Sequence, residues 1–263
     1  DYEMKDQKYG TKTPSDMDKT SSNSAYSMGL NYLYSDSGKL YGKFESGYTF
    51  PDPRQYINLT NGEGELNNLQ DEEFMTYEIG FQDYIINSLV KGAVYYTEKE
   101  NEIRKEGNSS NVEFYNIDAS KRIGGELSIS QNIKKLELSE SIAYIDAKVT
   151  EGTYEGKRIP YVSKITSSIN ATYTFNEKVD LSGNITYRDK YYVDASNLSG
   201  LVNDKFVTDI KVNYSIDSNW KTYAGINNLF NADYYNTINY SSGAYTYDPA
   251  SERNYFIGFN YSF

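Results

Sequence analysis

Cysteine and histidine are both absent from the 263 residues of the sequence. Without them the chain has no disulfide framework, no thiolate nucleophile, no Cys/His zinc site and no histidine-dependent catalytic triad. A haem iron held by an axial histidine of this chain is excluded as well. We therefore predict that the chain is not an enzyme and that it has no catalytic residue, no metal site and no cofactor.

Long apolar runs and an excess of basic residues are missing too. The longest apolar runs, such as 256–259, contain only a few residues, whereas a membrane-spanning helix needs about 18. The 26 lysines and arginines stand against 37 aspartates and glutamates, so the formal net charge is −11. Nucleic-acid binding requires a basic face, and we expect no nucleic-acid partner.

Tyrosine is abundant, with 29 residues, whereas proline, with 5, and tryptophan, with 1, are scarce. The mean hydropathy of −0.72 shows that the chain is polar on average. A polar chain with many aromatic residues is either disordered or built from strands with one apolar and one wet face. The periodicity of the apolar residues distinguishes these two possibilities.

Apolar and polar residues alternate with a period of two along most of the chain. Near the end, Tyr255, Ile257 and Phe259 alternate with Gly258 and Asn260. The same alternation extends over 26–34, 75–81, 123–130, 136–144, 161–175, 179–188 and 206–216, and more weakly over 38–50, 85–100 and 219–230. This period indicates strands with opposed faces, and no stretch has the helical period of about 3.6 residues. We predict an all-β fold.

The connections between these strands alternate between short and long. Short turns are predicted near 35–38, 82–84, 132–135, 176–178 and 217–219. Long polar connections are predicted near 51–72, 101–111, 150–160, 189–202 and 231–252. The alternation is typical of an antiparallel meander whose two ends face different compartments, as in outer-membrane barrels with short periplasmic turns and long external loops.

A soluble β-sandwich is the competing interpretation. Its strands usually have about 5–6 residues, and turn signals recur about every 8–12 residues. The strands here recur about every 24 residues and often exceed ten, which suits a tilted membrane crossing. We predict an antiparallel up-and-down transmembrane β-barrel. The strand that ends at Phe263 then finishes on the periplasmic turn side, and the long connections lie outside the cell.

Several segments resemble, in chain order, the β-barrel of a known receptor family. The block NNLFNADYY at 227–235, followed by Arg253 and the strand to Phe263, resembles the C-terminal signature of the TonB-dependent outer-membrane receptors. Further segments that resemble this family are 40–51, 68–72 with 77–80, 115–117 with 122–127, and 159–162. At Val162 and Ser163 the sequence departs from the Val-Pro that the family often has.

The resemblance implies a barrel of about 22 strands, filled by an N-terminal plug domain and energised through a short TonB-contacting segment. This chain offers about 11–12 of those strands. We therefore expect 1–263 to be the C-terminal part of the barrel, without the plug and the N-terminal strands, and 1–4 to be the outer end of a preceding strand. An open half-barrel would leave unpaired backbone groups in hydrocarbon, so the function expected is that of the parent receptor.

The resemblance further implies a receptor in the cell outer membrane that imports a metal chelate, with a ferric siderophore as the first choice. Its partners would be outer-membrane lipid and lipopolysaccharide, the metal-chelate solute, its own plug domain and the TonB complex. Import of another solute, such as cobalamin, haem or an oligosaccharide, stays open, and so does a passive porin-like channel. An outer-membrane hydrolase is disfavoured because the known ones resemble histidine-dependent sites.

Cationic and aromatic side chains in the predicted external loops are the candidates for binding a flat, anionic chelate. Charge-assisted hydrogen bonds from guanidinium groups and stacking on aromatic rings supply the chemistry. The candidates are Arg54, Tyr56, Arg104, Arg158, Arg188, Tyr191, Tyr192, Tyr235 and Tyr245. The competing interpretation is an ordinary solvated loop with tyrosines at the lipopolysaccharide interface.

Charged residues on the polar face of the strands are expected to point into the barrel. They are Glu78, Glu126, Lys164, Asp180, Arg188, Asp209 and Lys211. Two interpretations stay open for them: they contact a plug or a solute, or they simply belong to the polar interior that a water-filled barrel has.

Overall fold

A computed structural model describes residues 2–4, 19–107, 110–198, 200–241 and 244–263, and nineteen strands and one 3-10 helix lie in these ranges. The strands are β1 (Tyr2–Met4), β2 (Lys19–Ser21), β3 (Tyr26–Leu33), β4 (Lys39–Thr49), β5 (Ile57–Thr60), β6 (Glu63–Leu66), β7 (Glu72–Ile85), β8 (Ser88–Gly107), β9 (Val112–Ile133), β10 (Leu136–Glu151), β11 (Ile165–Asn176), β12 (Val179–Arg188), β13 (Tyr191–Tyr192), β14 (Leu201–Val202), β15 (Lys205–Ser215), β16 (Trp220–Asn227), β17 (Tyr235–Ser241), β18 (Ala244–Pro249) and β19 (Asn254–Tyr261). The 3-10 helix is Pro53–Tyr56. Parts of the predicted segments 1–4, 101–111, 189–202 and 231–252 lie outside the described residues.

The principal sheet is an antiparallel meander of strands that follow one another in the chain. Its order is β3-β4-β7-β8-β9-β10-β11-β12-β15-β16-β19, and β5 and β6 join it through the pair Leu59 and Val112. β3 and β19 form the two ends of this order. The predicted all-β fold with up-and-down strand order is confirmed. The part of the chain that the structure describes holds no helix long and apolar enough to cross a membrane.

The two faces of the sheet differ as the alternation predicts. Large apolar side chains stand exposed in rows on one face, among them Met28, Ile79 and Ile257, which are 65%, 67% and 70% exposed. Such rows are the outward apolar band of a transmembrane barrel. Aromatic pairs lie at the turn ends of strands, such as Trp220 and Tyr261 with ring centroids 4.7 Å apart, where aromatic belts meet the membrane interface.

Within the strands, the charged residues predicted to point inward lie on the opposite face. The register places Glu78, Asp209 and Lys211 on the face away from the exposed apolar rows. Lys164 lies just before the first residue of β11, and its carbonyl oxygen accepts from the backbone nitrogen of Ile145 at 2.9 Å, which continues the strand register. Its Nζ lies 3.5 Å from Oδ1 of Asp146, and the inward direction of its side chain stays a prediction.

One predicted short turn is displaced along the chain. The segment 82–84 belongs to β7, and the turn lies at Ile86 and Asn87, both with positive φ, 48° and 61°. Two consecutive residues of this kind form the type I′ turn that two-residue hairpins favour. Asp83 is a polar residue of the kind found in turns, but its carboxylate instead accepts hydrogen bonds from the Tyr34 hydroxyl at 2.7 Å and the Ser37 hydroxyl at 2.8 Å.

The predicted long connection 101–111 is largely strand. β8 has 20 residues and runs to Gly107, and β9 has 22 residues and begins at Val112. A tilted membrane crossing needs only about 9–11 residues, so this hairpin extends well beyond the bilayer on the external side. The ladder is interrupted at Asn101, whose φ is 54°, but the register is the same for the pairs of Glu100 with Ala119 and of Glu102 with Ile117 on either side.

Two asparagines of the block 227–235 fix both ends of the longest external loop. The Asn228 amide nitrogen donates to Oδ1 of Asp209 at 2.8 Å, and the Asn228 side chain exchanges two hydrogen bonds with the backbone of Ala232 at 2.7 and 2.8 Å. Oδ1 of Asn231 accepts from the backbone nitrogen of Arg253 at 2.8 Å. The block thus anchors the loop where it leaves β16 and where it returns to β19.

Candidate functional site

The external loop between β4 and β7 has a small core of its own. Tyr56 and Leu69, which are 1% and 2% exposed, pack against Ile103 and Phe114 of the long hairpin. Oδ1 of Asn58 accepts from the backbone nitrogen of Phe114 at 2.7 Å. The loop is therefore held against the extension of β8 and β9.

The loops 152–164 and 189–204 are joined to each other by hydrogen bonds. The Arg158 backbone nitrogen donates to Oδ1 of Asn197 at 2.7 Å, and Nδ2 of Asn197 donates to the carbonyl oxygen of Arg158 at 3.0 Å. The Tyr161 backbone nitrogen donates to the carbonyl oxygen of Tyr192 at 2.7 Å. Asn197 has a φ of 56°, so it holds a left-handed turn that asparagine tolerates better than most residues.

Cationic groups lie over tyrosine rings along this joined surface. The distance to the ring centroid is 4.7 Å for Arg188 over Tyr191, 5.7 Å for Arg158 over Tyr192 and 4.3 Å for Lys205 over Tyr234. Cation–π contacts of this kind fix the orientation of the cation without neutralising it. The guanidinium groups therefore keep their net positive charge.

The hairpin formed by β17 and β18 covers the same region. Its Ile238 is buried in a cluster with Tyr191, Val193 and Val202. Its Tyr245 ring lies against Gly200, where an added Cβ would come within 2.4 Å of the ring. The hairpin tyrosines also contact one another, with 4.8 Å between the ring centroids of Tyr235 and Tyr247 and 5.9 Å between those of Tyr245 and Tyr247.

The structure brings most of the predicted binding residues into one assembly. This loop assembly contains Arg158, Arg188, Tyr191, Tyr192, Tyr235 and Tyr245. Tyr191 is 5% exposed, so it supports the assembly from within. Sequence reasoning missed Asn197, which holds two loops together, and Lys205, which adds a cation. Asn197 follows Asp194 and Ser196 in a polar run typical of turns, and that run was the available signal.

The other three predicted residues lie elsewhere and have other partners. Tyr56 is a core residue of its loop. Nε of Arg54 lies 3.1 Å from Oδ1 of Asp52, and the hydrogen bonds that Arg54 donates to Asp52 lower the pKa of that carboxyl. Arg104 is ion-paired with Glu102, which is 5% exposed and also accepts from Arg122 Nη2 at 2.7 Å at both oxygens. A buried carboxylate needs such partners. Arg104 is therefore held by Glu102 in the wall of the long hairpin.

A cavity of about 650 Å³ opens between the loops. Its charged lining residues are Lys105 and the carboxylates of Glu65, Glu106, Glu113 and Asp194. The pKa of Tyr154 at its edge is raised, first by burial and then by Glu106, Glu113 and Asp194. The cavity is therefore acidic, whereas the cations of the loop assembly lie on tyrosine rings beside it. The excess of acidic residues in the composition agrees with an acidic cavity, but composition alone does not say where in the fold these residues lie.

A family profile described as TonB dependent receptor-like, beta-barrel matches residues 1–229 of the chain. Among curated proteins, the Catecholate siderophore receptor Fiu of Escherichia coli (strain UTI89 / UPEC) is 22% identical in a match 249 residues long that covers 89% of this chain and 32% of that protein. Matches with solved structures cover a similar share of this chain.

Two solved structures illustrate the shared architecture. The siderophore receptor PiuA from Acinetobacter baumannii has a TM-score of 0.73 at 22% identity, over 90% of this chain and 35% of that one. The ferric yersiniabactin uptake receptor FyuA from Yersinia pestis has a TM-score of 0.77 at 15% identity, over 90% of this chain and 37% of that one. At these identities the likeness shows the fold. The chain spans about a third of the length of these relatives.

Proposed function

This chain belongs to the family of TonB-dependent receptors as part of their β-barrel, and from that membership we propose that the protein is an outer-membrane receptor for the active uptake of a metal chelate, with a ferric siderophore as the first candidate. Members of this family are receptors and transporters, not enzymes. The observation that carries the proposal is the loop assembly of Arg158, Arg188 and their tyrosines on the external side of a barrel of this family. Relatives described as siderophore receptors support the choice of solute.

The proposed mechanism needs no covalent chemistry. The loop assembly captures the chelate from dilute medium through charge-assisted hydrogen bonds and aromatic contacts. The plug of the full-length receptor then yields when the TonB complex pulls on it, and the chelate passes along the polar inner face of the barrel. Outer-membrane lipid and lipopolysaccharide surround the outward apolar rows in this proposal.

The acidic cavity favours a second class of solute. Four carboxylates against one lysine repel a polyanionic chelate at close range, so an anionic siderophore would be held by the cations on the tyrosine rings. A chelate with a neutral or cationic periphery fits the cavity itself. Binding of an anionic and of a cationic chelate, compared at low ionic strength where charge attraction is least screened, separates the two.

A strain that lacks the gene tests the proposal through growth on single iron sources. We expect growth to be lost with one ferric siderophore as the sole iron source and restored by the native gene. A copy carrying Arg158→Ala should bind an anionic chelate about tenfold more weakly, which is about 1.4 kcal/mol. Lys157→Ala is the matched control, because Lys157 is an exposed neighbour in the same loop.

Two results would contradict the proposal. The first is unimpaired growth of the deletion strain on every iron source. The second is uptake that persists when TonB is removed, because a passive porin-like channel does not depend on that complex.

A further inference from the structure

The inner face of the sheet divides into two sectors of different chemistry. The first lies on β4, β7, β8 and β9, and we call it the charged sector. In it the Tyr41 hydroxyl donates to Oε1 of Glu78 at 2.8 Å. The rings of Tyr41 and Tyr95 cover Gly80 and Gly124 on the neighbouring strands, so closely that an added Cβ would come within 2.4 Å of each ring. Aromatic rings placed over glycines fix the register and shape of a sheet.

The second sector lies in the middle of β10, β11 and β12, between Glu137 and Asp180 toward one end and Arg188 at the other, and carries short, uncharged hydrogen-bonding side chains. We call it the hydroxyl-amide lane, and its cross-strand rows are Ser141, Ser168 and Thr186, and Ser139, Asn170 and Asn184. The hydroxyl oxygens of Ser141 and Ser168 lie 2.8 Å apart, and Nδ2 of Asn184 donates to Oδ1 of Asn170 at 2.7 Å.

The lane is broad and has open space in front of it. Ser128 and Ser130 continue both rows onto β9, so at about 4.8 Å per strand the lane is about 14 Å wide. A groove of about 580 Å³ runs from the charged sector, where Lys39, Tyr41, Lys91 and Glu126 line it, onto the upper row of the lane at Ser128, Ser141 and Ser168. Short hydroxyl and amide side chains leave this space to water, which they hold by hydrogen bonds.

We propose that the hydroxyl-amide lane is the part of the barrel wall along which the solute passes, and that the plug contacts the wall at the charged sector instead. Passage requires binding that is weak and repeated over many sites. Hydroxyl and amide groups provide donors and acceptors for a hydrophilic metal chelate without a fixed charge that would retain it. Charged and aromatic groups held by neighbours suit a permanent contact. This inference rests on the proposed uptake function and specifies where the solute travels.

Thiol accessibility tests the location of the path without any solute. The 263 residues contain no cysteine, so in the full-length receptor, with cysteines elsewhere replaced by serine, Ser141→Cys and Ser168→Cys introduce single reporters. With a sulfonated maleimide, we expect both to react at least about tenfold faster than Glu78→Cys in the charged sector, because reactivity follows exposure. Ile169→Cys, on the outward face, is the lipid-side control. Slower or equal labelling of the lane would overturn the proposal.

A blocked lane should stop passage but not capture. In the same receptor, Ser168→Trp should leave chelate binding to whole cells within about twofold and lower uptake by about tenfold or more, since the obstruction lies beyond the capture site. Ser27→Trp is the matched control, because Ser27 faces the same side on β3, away from the lane. If the two variants are present in the outer membrane in equal amounts and take up the chelate equally well, the lane is not the path.

The proposed function and the lane fail in different ways. If the unmodified receptor neither binds nor imports any chelate, the uptake function is wrong. The labelling rates then still decide whether the lane is an open aqueous path, because they require no chelate.

Discussion

Gly124 illustrates how closely the inner wall is fitted around single residues. A Cβ at this position would lie 2.4 Å from Cζ of Tyr95 and 2.7 Å from the carbonyl oxygen of Tyr144, so both a ring and a backbone group would have to move. We expect Gly124→Ala to destabilise the full-length receptor by about 1–3 kcal/mol, as overpacking does. Urea unfolding in detergent measures this difference.

Gly42→Ala is the control for this prediction. Gly42 also lies in a strand of the sheet, but no atom lies within 4 Å of a Cβ added there. Equal unfolding free energies for the two variants would show that the ring of Tyr95 and the adjacent strand give way without cost.

Individual loop residues could be predicted by type and approximate location, but not by partner. Arginines and tyrosines in polar connections indicated a binding surface, and Arg158 and Tyr192 do lie together. Tyr56 was predicted on the same grounds, yet it is 1% exposed. A loop of more than about 12 residues can form a core of its own. The position of one tyrosine in the sequence does not show whether its side chain lies inside that core or faces solvent.

Among the strands, the membrane-spanning parts were predictable and their external extensions were not. Alternation is visible wherever one face meets lipid, because every second residue must then be apolar. Above the bilayer both faces are polar, and the charged run from Glu100 to Lys105 has the composition of a loop. The strand continues there because Glu102 of β8 pairs with Arg122 of β9 and with Arg104 of its own strand. The pair with Arg122 depends on a register that the sequence does not display.

Glu102 should therefore contribute strongly to the stability of the long hairpin. Its carboxylate accepts from Arg122, from Arg104 and from the Ser120 hydroxyl, the last at 3.0 Å. Glu102→Ala leaves two guanidinium groups without their shared partner, which should cost about 3–5 kcal/mol. Hydrogen exchange of the β8 and β9 amides, together with urea unfolding, measures the effect.

Glu100→Ala is the matched control for Glu102, because Glu100 is an exposed glutamate of the same strand, two residues away on the other side of Asn101. If both variants exchange at the rate of the unmodified receptor, the ion cluster does not hold the hairpin.

The sheet as a whole has two ends, β3 and β19, each with one neighbour in its strand order. Unpaired backbone groups cost several kcal/mol each in hydrocarbon, so both edges must find partners in the membrane. The chain spans about a third of the length of its relatives. We therefore expect further strands of the full-length receptor to pair with both edges and to separate β3 from β19.

Crosslinking of paired cysteines tests this arrangement. In the full-length receptor, Leu30→Cys on β3 and Ile257→Cys on β19 should not be joined by a short bismaleimide. Ala224→Cys with Ile257→Cys is the positive control, because these two residues are direct cross-strand partners on β16 and β19. An efficient crosslink between β3 and β19 would mean that the eleven-strand meander closes on itself.

Asn228 and Asn231 give the longest external loop a property that matters for how such receptors diversify. Because their hydrogen bonds fasten the departing and returning chain, the segment between them can change in sequence without moving β16 or β19. Ile238 and Tyr245 tie the hairpin to Tyr191 and Gly200 of the neighbouring loop, so we expect exchange of the hairpin to be tolerated when these two contacts are kept.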